Sequence, residues 1–587
     1  LGSRQPGHPP LDRPPIGLGG PALPPDEGKP RDGRPTLPQP IGRCTGLPRQ
    51  PLQLLHRVLA HALPLAIPGH DRRPVAPPEA TFTRAPQPDE SLASTCGRPG
   101  SARKPVDDHA YADAMPHHDL VIIGSGSGNS LLTPELDGLD AAIVEGGTFG
   151  GTCLNVGCIP TKMLVLPADR IVDAADAARL GVTFAQPTVD WPGIRDRIFG
   201  RLDAMSAGGR AYRDLQAHTT VYAAHARFTG PRQLALSTGE VLTADRVVVA
   251  AGAHAVGLPV EGLRSPDPAR GLHTSDTVMR LDALPPRMVV IGGGFVACEL
   301  AHVFSSLGVQ VTQVQRGPSL LRHHEPAIAQ RYTQVAAHHY DVRLSAPPTS
   351  AHRTDGVWRI DLDTASGPAH VEAEVVLLAV GRRPSTDGLD PAAGGLEVHA
   401  DGRLVVNAQL RTTADAVWAL GDVCSPHQLK HVANHEARVV RHNLLQDWDD
   451  VDALMPSDHR YVPSAVFTDP QIASVGMTEN EARAAGFDIN VKVQDFADVA
   501  YGWAMEDTTG FAKVIVEADT GRILGAHIMG HQASSLIQPL IQAMSFGLGA
   551  QDMARGQYWI HPALPEVIEN ALLALCGEPS WPSSRRH

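Results

Sequence analysis

Two cysteines separated by four residues offer the clearest possibility for chemistry in this sequence. Cys153 and Cys158 lie in a glycine-flanked stretch, residues 150–162, that leads into an apolar run at residues 163–166. Three interpretations are open: a redox disulfide, a structural disulfide, or two buried thiols. A loop this small contributes only about 2 kcal/mol to stability in the chain-entropy model, so a purely structural bridge would achieve little. We therefore take the redox pair as the working hypothesis.

The overall composition restricts the classes of protein to which the chain can belong. Its 587 residues are enough for three or four domains, and 42% hydrophobic with 19% charged residues are typical of a globular protein. A formal net charge of −13 argues against general nucleic-acid binding. No apolar run reaches the roughly 18 residues of a membrane span. The seven cysteines are odd in number and scattered, which suggests a reducing compartment, and we expect a cytoplasmic protein.

The first part of the chain differs from the rest. Residues 1–115 are crowded with proline, glycine and arginine and show little hydrophobic periodicity, so we expect a disordered extension. The first methionine is Met115, just before the first convincing strand, and we favour the interpretation that the start of the sequence is assigned too far upstream. The stretch does not resemble a secretory signal, because no apolar segment follows a basic start.

A first dinucleotide-binding pattern begins at residues 120–123, which predict a buried parallel strand. The glycine-rich sequence after it is Gly124, Ser125, Gly126, Ser127, Gly128 and Asn129. Such a turn lets a pyrophosphate approach the backbone closely, although asparagine replaces the third glycine. A second strand ends at Glu145, 21 residues after the first glycine, where an acid holds a ribose hydroxyl. Pro134 predicts that the intervening helix is short or bent.

A second pattern of the same kind begins at residues 288–291. Its glycine-rich positions are Gly292, Gly294 and Ala297. The strand at residues 309–314 is followed by Arg316 and Arg322 and by no acid. Arginines at this place accommodate a 2′-phosphate, which favours NADPH over NADH, unless both are merely solvated.

Two candidate residues lie towards the C-terminus. Asp422 follows the strand at residues 417–420 and is expected either to face a ligand or to cap a helix. His561 precedes a proline and lies five residues before Glu566, which could orient its imidazole. On its own such a His-Pro pair is more often structural. The surrounding region, residues 460–577, predicts antiparallel strands followed by helices.

Together these ordered motifs resemble the flavoprotein disulfide reductases that use two dinucleotides, the class I pyridine nucleotide-disulfide oxidoreductases, such as glutathione reductase and dihydrolipoyl dehydrogenase. The resemblance spans residues 119–576. It implies an α/β fold with two Rossmann-like three-layer nucleotide-binding domains and a C-terminal α+β dimerisation domain. The implied divisions are 1–115 (extension), 116–262 (FAD-binding, first part), 263–384 (NADPH-binding), 385–456 (FAD-binding, second part), 457–577 (dimerisation) and 578–587 (tail).

The resemblance also implies roles for the reactive side chains. Cys153 would attack a small-molecule disulfide, and Cys158 would face the flavin. His561, oriented by Glu566, would be the acid/base and would come from the partner subunit, so that a homodimer shares each active site. Residues expected to bind FAD and NADPH are Gly124, Gly126, Gly128, Glu145, Thr152, Lys162, Gly252, Asp422, Ala433, Gly292, Gly294, Ala297, Glu299, Arg316, Arg322 and Gly381. Among these, Lys162 and Glu299 would form an ion pair near the flavin. No metal is expected.

Within the family the sequence is most similar to the actinobacterial reductases of mycothione, the disulfide of mycothiol. The similarity lies in residues 124–130, 429–436, 501–507 and 557–566. Ala563 and Phe295 replace a threonine and a tyrosine that are usual in the family. The alternatives are another family member, such as a dihydrolipoyl dehydrogenase or glutathione reductase, and a non-catalytic FAD-binding dimer.

Overall fold

Five β-sheets organise residues 115–576, the part of the chain that this computed structural model describes. The extension predicted for residues 1–115 lies outside the described residues except for Met115, and so does the tail at 578–587. The strands of the N-terminal half are β1 (His117–Ile123), β2 (Ala141–Val144), β3 (Thr219–Tyr222), β4 (Ala226–Gly230), β5 (Gln233–Leu236), β6 (Val241–Val249), β7 (Ala253–Ala255), β8 (Leu272–Thr274) and β9 (Arg287–Ile291).

The remaining strands belong to the second nucleotide-binding pattern and to the C-terminal region. They are β10 (Gln310–Val314), β11 (Asp341–Arg343), β12 (Pro348–Thr354), β13 (Val357–Leu362), β14 (Ala369–Ala373), β15 (Val375–Leu378), β16 (Arg382–Pro384), β17 (Val417–Ala419), β18 (Ser464–Val466), β19 (Gln471–Gly476), β20 (Ile489–Asp495), β21 (Phe511–Glu517) and β22 (Ile523–Gly530).

The helices connect and cover these sheets. They are α1 (Gly151–Asn155), α2 (Cys158–Asp176), α3 (Trp191–Asp214), α4 (Ser275–Val278), α5 (Phe295–Ser306), α6 (Pro326–His339), α7 (Lys430–Leu444), α8 (Glu479–Ala484), α9 (Ala500–Met505), α10 (Ala533–Leu536), α11 (Gln538–Phe546), α12 (Ala550–Arg555) and α13 (Glu566–Leu575).

The first sheet brings the first nucleotide-binding motif to one edge. Its strand order is β3-β2-β1-β6-β5-β4, with β17 pairing with β6. β1 runs parallel to both β2 and β6, and β17 runs parallel to the end of β6. Residues 120–123 of β1 and 247–249 of β6 are buried and apolar, as expected for a parallel sheet covered on both faces. The carboxyl ends of β1, β2 and β17 therefore place Gly124, Glu145 and Asp422 at the same edge.

The predicted shortness of the helix after the first glycine loop is confirmed. The chain forms only two short 3₁₀ turns there, Gly128–Leu131 and Pro134–Leu136. Arg213 of α3, a buried side chain, donates to Asn129 Oδ1 at 2.7 Å and to the carbonyls of Asn129 and Leu132 at 2.8 and 3.0 Å. Asn129 thus serves as an acceptor for Arg213, and the carbonyls that a longer helix would satisfy are bonded instead by the guanidinium.

The second sheet has the order β11-β10-β9-β15-β8 and is parallel throughout. A three-stranded antiparallel sheet, β12-β13-β14, accompanies it. Helix α5 follows β9 and is buried along most of its length, because its sequence is apolar on nearly every side. The second glycine-rich turn therefore lies between a buried strand and a buried helix.

The C-terminal region forms an antiparallel sheet with the order β18-β19-β22-β21-β20. Its core includes side chains from β21 and β22 and from the helices α10 to α13. Lys513 of β21 is buried and donates to Glu325 Oε1 at 2.6 Å and to Glu479 Oε2 at 2.7 Å. Since Glu325 lies just before α6, this ionic cluster joins the antiparallel sheet to the second nucleotide-binding unit. The predicted fold class is confirmed.

Candidate active site

A cavity of about 1050 Å³ lies at the carboxyl edge of the first sheet. It is enclosed by the first glycine loop, the start of α1 and α2, and residues of α5, α7 and α11. The predicted site residues on its wall are Gly124, Gly126, Glu145, Thr152, Cys153, Cys158, Lys162, Gly252, Glu299, Asp422 and Ala433. Sequence positions as far apart as 124 and 433 therefore meet at one site, which is large enough for a dinucleotide cofactor.

Close backbone contacts explain the glycines on this wall. A Cβ on Gly124, whose φ is 102°, would lie 2.4 Å from Ala250 O. A Cβ on Gly151, whose φ is 71°, would lie 2.7 Å from Gly126 Cα, so the glycine loop and the start of α1 touch through their main chains. Gly128 is not on the wall; a Cβ there would lie 2.8 Å from the Ile122 side chain. Gly124 and Gly151 allow the backbone to line the cavity, and Gly128 allows the loop to pack against the Ile122 side chain.

Glu145 fixes the shape of this end of the cavity. Its Oε2 accepts hydrogen bonds from Ser125 N at 2.9 Å and Ser125 Oγ at 2.6 Å, while its Oε1 accepts from Gly147 N at 2.8 Å. Ser125 Oγ in turn accepts from Gly150 N at 2.8 Å. The carboxylate thus links the glycine loop after β1 to the turn after β2.

The two cysteines lie in two consecutive helices. Cys153 is in α1, and Cys158 is the first residue of the 19-residue α2. Both are free thiols. A hydrogen bond with Cys153 and the charge of Lys162 lower the pKa of Cys158 to about 7, against the effect of burial. The same hydrogen bond and burial raise the pKa of Cys153. The pair therefore forms its first thiolate at Cys158, where the positive end of α2 also favours it.

Lys162 and Glu299 form the predicted ion pair, which joins α2 to α5. Lys162 Nζ lies 2.6 Å from Glu299 Oε2. The buried carboxylate also accepts from Phe467 N at 2.9 Å, and Lys162 Nζ lies 4.6 Å from the centre of the Phe467 ring. A partly buried cation is thereby held one helical turn beyond Cys158.

The second glycine-rich pattern reaches this cavity only through Phe295 and Val296 at the start of α5. Gly292, Gly294, Ala297, Arg316, Arg322 and Gly381 are not among the residues on its wall. A Cβ on Gly292 would lie 2.2 Å from Ala379 O, so the turn is tight in the same way as the first. Arg316 and Arg322 are exposed after β10, and Gln315 takes the place where an acid would bind a 2′-hydroxyl.

His561 and Glu566 form a dyad outside the cavity. His561 Nδ1 donates to Glu566 Oε1 at 2.5 Å, and Ala563 N donates to Glu566 Oε2 at 3.1 Å. The hydrogen bond with His561 lowers the pKa of Glu566. The His561 side chain is 70% exposed, and neither residue lines the cavity that holds the cysteines. One chain alone therefore does not bring this dyad onto the wall beside the thiols.

Comparison with known proteins agrees with this geometry. The family profile described as pyridine nucleotide-disulphide oxidoreductase matches residues 118–437, and the profile of that family's dimerisation domain matches residues 462–572. The chain belongs to the pyridine nucleotide-disulphide oxidoreductases. The cysteine pair, the cavity and the two glycine-rich turns of this oxidoreductase all lie within the matched residues.

Individual relatives cover the same part of the chain. Mycothione reductase of Mycobacterium tuberculosis is 52% identical over 467 residues, which are 78% of this chain and 100% of the relative. Dihydrolipoyl dehydrogenase of Haloferax volcanii is 31% identical, covering 77% of this chain and 96% of the relative. Among solved structures, the HOCl-induced flavoprotein disulfide reductase RclA from Escherichia coli superposes with a TM-score of 0.68 at 27% identity, covering 78% of this chain and 99% of that chain.

Sequence reasoning assigned no role to two residues of this region, Glu436 and Lys430, which lie near the predicted Asp422. Burial raises the pKa of Asp422, and beneath it the buried Glu436 accepts from Gly421 N at 2.6 Å. Burial also raises the pKa of Glu436 to about 7. Lys430, the first residue of α7, lies on the cavity wall. The only signal available for Lys430 was a cation at the start of a predicted helix.

The described residues of the oxidoreductase contain neither a candidate metal site nor a candidate membrane-spanning helix. Within residues 115–576, no group of three or more His, Cys, Asp or Glu side chains is arranged to hold a metal ion. No helix in that range combines the length and apolarity needed to cross a bilayer.

Proposed function

We propose that this oxidoreductase uses NADPH and bound FAD to reduce mycothione to mycothiol. The observation that carries the proposal is the placement of Cys153 and Cys158 as free thiols on the wall of the 1050 Å³ cavity, at the end formed by the first glycine loop. The substrate is inferred from the 52% identity to a protein named mycothione reductase, which aligns over its whole length.

The described residues fit the two cofactors. The cavity wall carries main chain brought close by Gly124 and Gly126, the acid Glu145 after the second strand, and the ion pair of Lys162 with Glu299. When bound, FAD would supply two-electron transfer between the nicotinamide and the cysteine pair. The exposed arginines after β10, with no acid beside them, support NADPH as the donor.

The side chains of this chain would perform the disulfide exchange. The Cys153 thiolate attacks one sulfur of the substrate disulfide, so that a mixed disulfide forms and one thiolate leaves. His561, held by Glu566, gives that leaving thiolate a proton. Cys158 then attacks Cys153, restores the internal disulfide and releases the second thiol. NADPH, one proton and one disulfide are consumed, and NADP⁺ and two thiols are formed.

The position of the dyad supports a homodimer with shared active sites. His561 is exposed and lies away from the cysteine-bearing cavity of its own chain. We propose that each cavity receives His561 from the other subunit of a homodimer, and that residues 457–577 form the dimer interface. We also propose that the protein acts in the cytoplasm. In the same proposal, residues 116–262 and 385–456 hold FAD and residues 263–384 hold NADPH.

A disulfide panel tests the proposed function. Purified protein is assayed for NADPH oxidation with mycothione, glutathione disulfide and lipoamide, and each assay is repeated with NADH. The proposal predicts that mycothione with NADPH gives the highest kcat/KM of the set. A higher kcat/KM with lipoamide or with glutathione disulfide would replace the substrate assignment. If none of the three disulfides supports NADPH oxidation, the proposed function is contradicted.

A further inference from the structure

Lys430 is a cation on the cavity wall that none of the roles above uses. Its half-buried side chain reaches the first glycine loop, where its Nζ donates to Ser127 Oγ at 2.8 Å. The same hydroxyl lies 3.4 Å from Oδ1 of Asn434, one helical turn further along α7. Two side chains of α7 therefore contact the loop at Ser127, and Lys430 brings a positive charge to it.

The other lysine and the arginine on the cavity wall are balanced by carboxylates. Lys162 Nζ lies 2.6 Å from Glu299 Oε2, and Arg382 Nη1 lies 3.6 Å from Asp276 Oδ1. Lys430 differs from both. Among residues 115–576, its one hydrogen-bond partner is the loop hydroxyl, and it forms no ion pair with a carboxylate. Its charge is therefore available to an anion in the cavity.

The start of α7 adds to the positive charge at this place. Lys430 is the first residue of the 15-residue helix, whose first turn contains no acidic residue, and Leu429 before it supplies no side-chain cap. The free amides at a helix N-terminus carry partial positive charge, to which the ammonium adds. Burial raises the pKa of Asp422 on the same wall, and the charges of Arg382 and Lys430 oppose this effect without an ion pair between Lys430 and that acid. The arrangement therefore favours a bound anion.

The glycine loop that Lys430 contacts determines which anion fits. Gly124 and Gly126 bring main chain to the cavity, and a strand followed by such a loop lets the diphosphate of a dinucleotide approach the backbone amides closely. Those amides offer hydrogen bonds but no full positive charge. An ammonium group held against the same loop supplies that charge, and charge-assisted hydrogen bonds to phosphate oxygens are stronger than neutral ones.

We propose that Lys430 binds the diphosphate of the dinucleotide at the first glycine loop: its ammonium, positioned by Ser127, donates to the phosphate oxygens. This inference rests on the proposed binding of FAD, and it adds a ligand that the glycine-rich pattern does not contain. Lys430 lies 303 positions from Ser127. The diphosphate would therefore be held from both proposed parts of the FAD-binding domain, residues 116–262 and 385–456.

The rate of flavin release from the intact holoenzyme tests the inference. Protein purified with bound FAD is diluted at low and at high potassium chloride, and the rise of FAD fluorescence gives the release rate. In Lys430→Met we expect release to be at least about tenfold faster at low salt, and added salt to accelerate it less than in wild type. Lys430→Gln removes the charge but keeps a donor for Ser127, and it should also release FAD faster. Lys430→Arg keeps the charge and should stay within about twofold of wild type, as should Lys492→Met on β20.

Wild-type release rates in both Lys430→Met and Lys430→Gln would overturn the inference. If Lys430→Met retains no FAD, the release rate of Lys430→Gln decides. The absorption maxima of the bound flavin should not change, and shifted maxima in either variant would overturn the inference by assigning the ammonium to the ring system instead of the diphosphate. No disulfide substrate is used, so these outcomes are separate from the mycothione assay. Wild-type protein that binds no FAD would contradict the inference and the proposed function together.

Discussion

At the sulfurs of Cys153 and Cys158, charge is set by residues that are distant in the sequence. Cys158 has the lower pKa because Cys153 donates to it, because it begins α2, and because Lys162 lies one turn away. Glu299, 137 positions from Lys162, opposes this effect and holds the lysine in place. The ionisation of the pair is therefore a tertiary property, built by packing α5 against α2.

Replacing Cys153, the sulfur proposed to attack the substrate, should separate the two halves of the reaction. In Cys153→Ser we expect FAD to stay bound and NADPH to reduce it, while mycothione turnover falls by at least about a thousandfold, because a hydroxyl is a poor replacement for the nucleophile. Stopped-flow flavin absorbance and steady-state NADPH oxidation measure the two halves. Turnover near the wild-type rate would remove Cys153 from its role.

Removing either partner of the ion pair beside Cys158 should shift the pKa of that thiol, in opposite directions for the two partners. Lys162→Met removes a cation and should raise the pKa of the Cys158 thiol by about one unit, so that its thiolate appears at higher pH. Glu299→Gln removes an anion and should lower the same pKa. The pH dependence of Cys158 alkylation in the reduced protein gives both midpoints, and shifts of equal sign would contradict the electrostatic explanation.

The types and spacing of individual residues were predictable from the sequence to different degrees. The cysteine spacing, Glu145 after β2 and the His561–Glu566 pair were visible because each motif is short in sequence. Glu436 and Lys430 were not, since one acts by burial beneath Gly421 and the other by contact with Ser127, 303 positions away. Neither environment can be recognised from the residues next to Glu436 or Lys430 in the sequence.

At the level of elements, the site depends on two backbones that touch. The start of α1 meets the first glycine loop through Gly151 and Gly126, with no space for a side chain. The buried parallel strands of the two nucleotide-binding patterns were predictable, because they are continuous apolar runs. The division between α1 and α2 at Val156 and Gly157 was not, because it depends on the close approach of Gly157 to Thr152 O, where a Cβ would lie 2.9 Å away.

A single methyl group should test this contact. Gly151→Ala places a Cβ at a φ of 71° and 2.7 Å from Gly126 Cα, so we expect the loop and α1 to separate and the flavin content to fall at least about tenfold. Gly200→Ala is the matched control, because nothing lies within 4 Å of its Cβ inside α3. Flavin absorbance per protein measures both, and full flavin retention in Gly151→Ala would contradict the contact.

Within one chain, the two cysteines and the His561–Glu566 dyad lie in different regions. The cysteines lie on the cavity at the first sheet, whereas His561 lies exposed before α13 of the C-terminal region. The sequence predicted both regions and their order along the chain. It could not predict from one chain how the dyad meets the thiols, because the proposed contact is made between two copies.

Hybrid dimers should test this arrangement. Cys153→Ser subunits and His561→Ala subunits are each expected to be nearly inactive as homodimers, the second by about a hundredfold or more. Co-expression with two affinity tags gives a hybrid that contains one intact cavity, formed by Cys153 of one subunit and His561 of the other. We expect it to recover about half of the wild-type turnover, since one of its two sites is intact. A hybrid as inactive as its parents would show that each subunit uses its own histidine.

The most direct test of electron flow through the cysteine pair is differential alkylation before and after reduction. Oxidised holoenzyme is treated with light iodoacetamide, reduced anaerobically with NADPH and treated with heavy iodoacetamide, and every cysteine peptide is then quantified. The account predicts that Cys153 and Cys158 carry only the heavy label. The labelling of Cys298, Cys424 and Cys576 should be unaffected by reduction. Equal labelling of Cys153 and Cys158 before and after NADPH would contradict it.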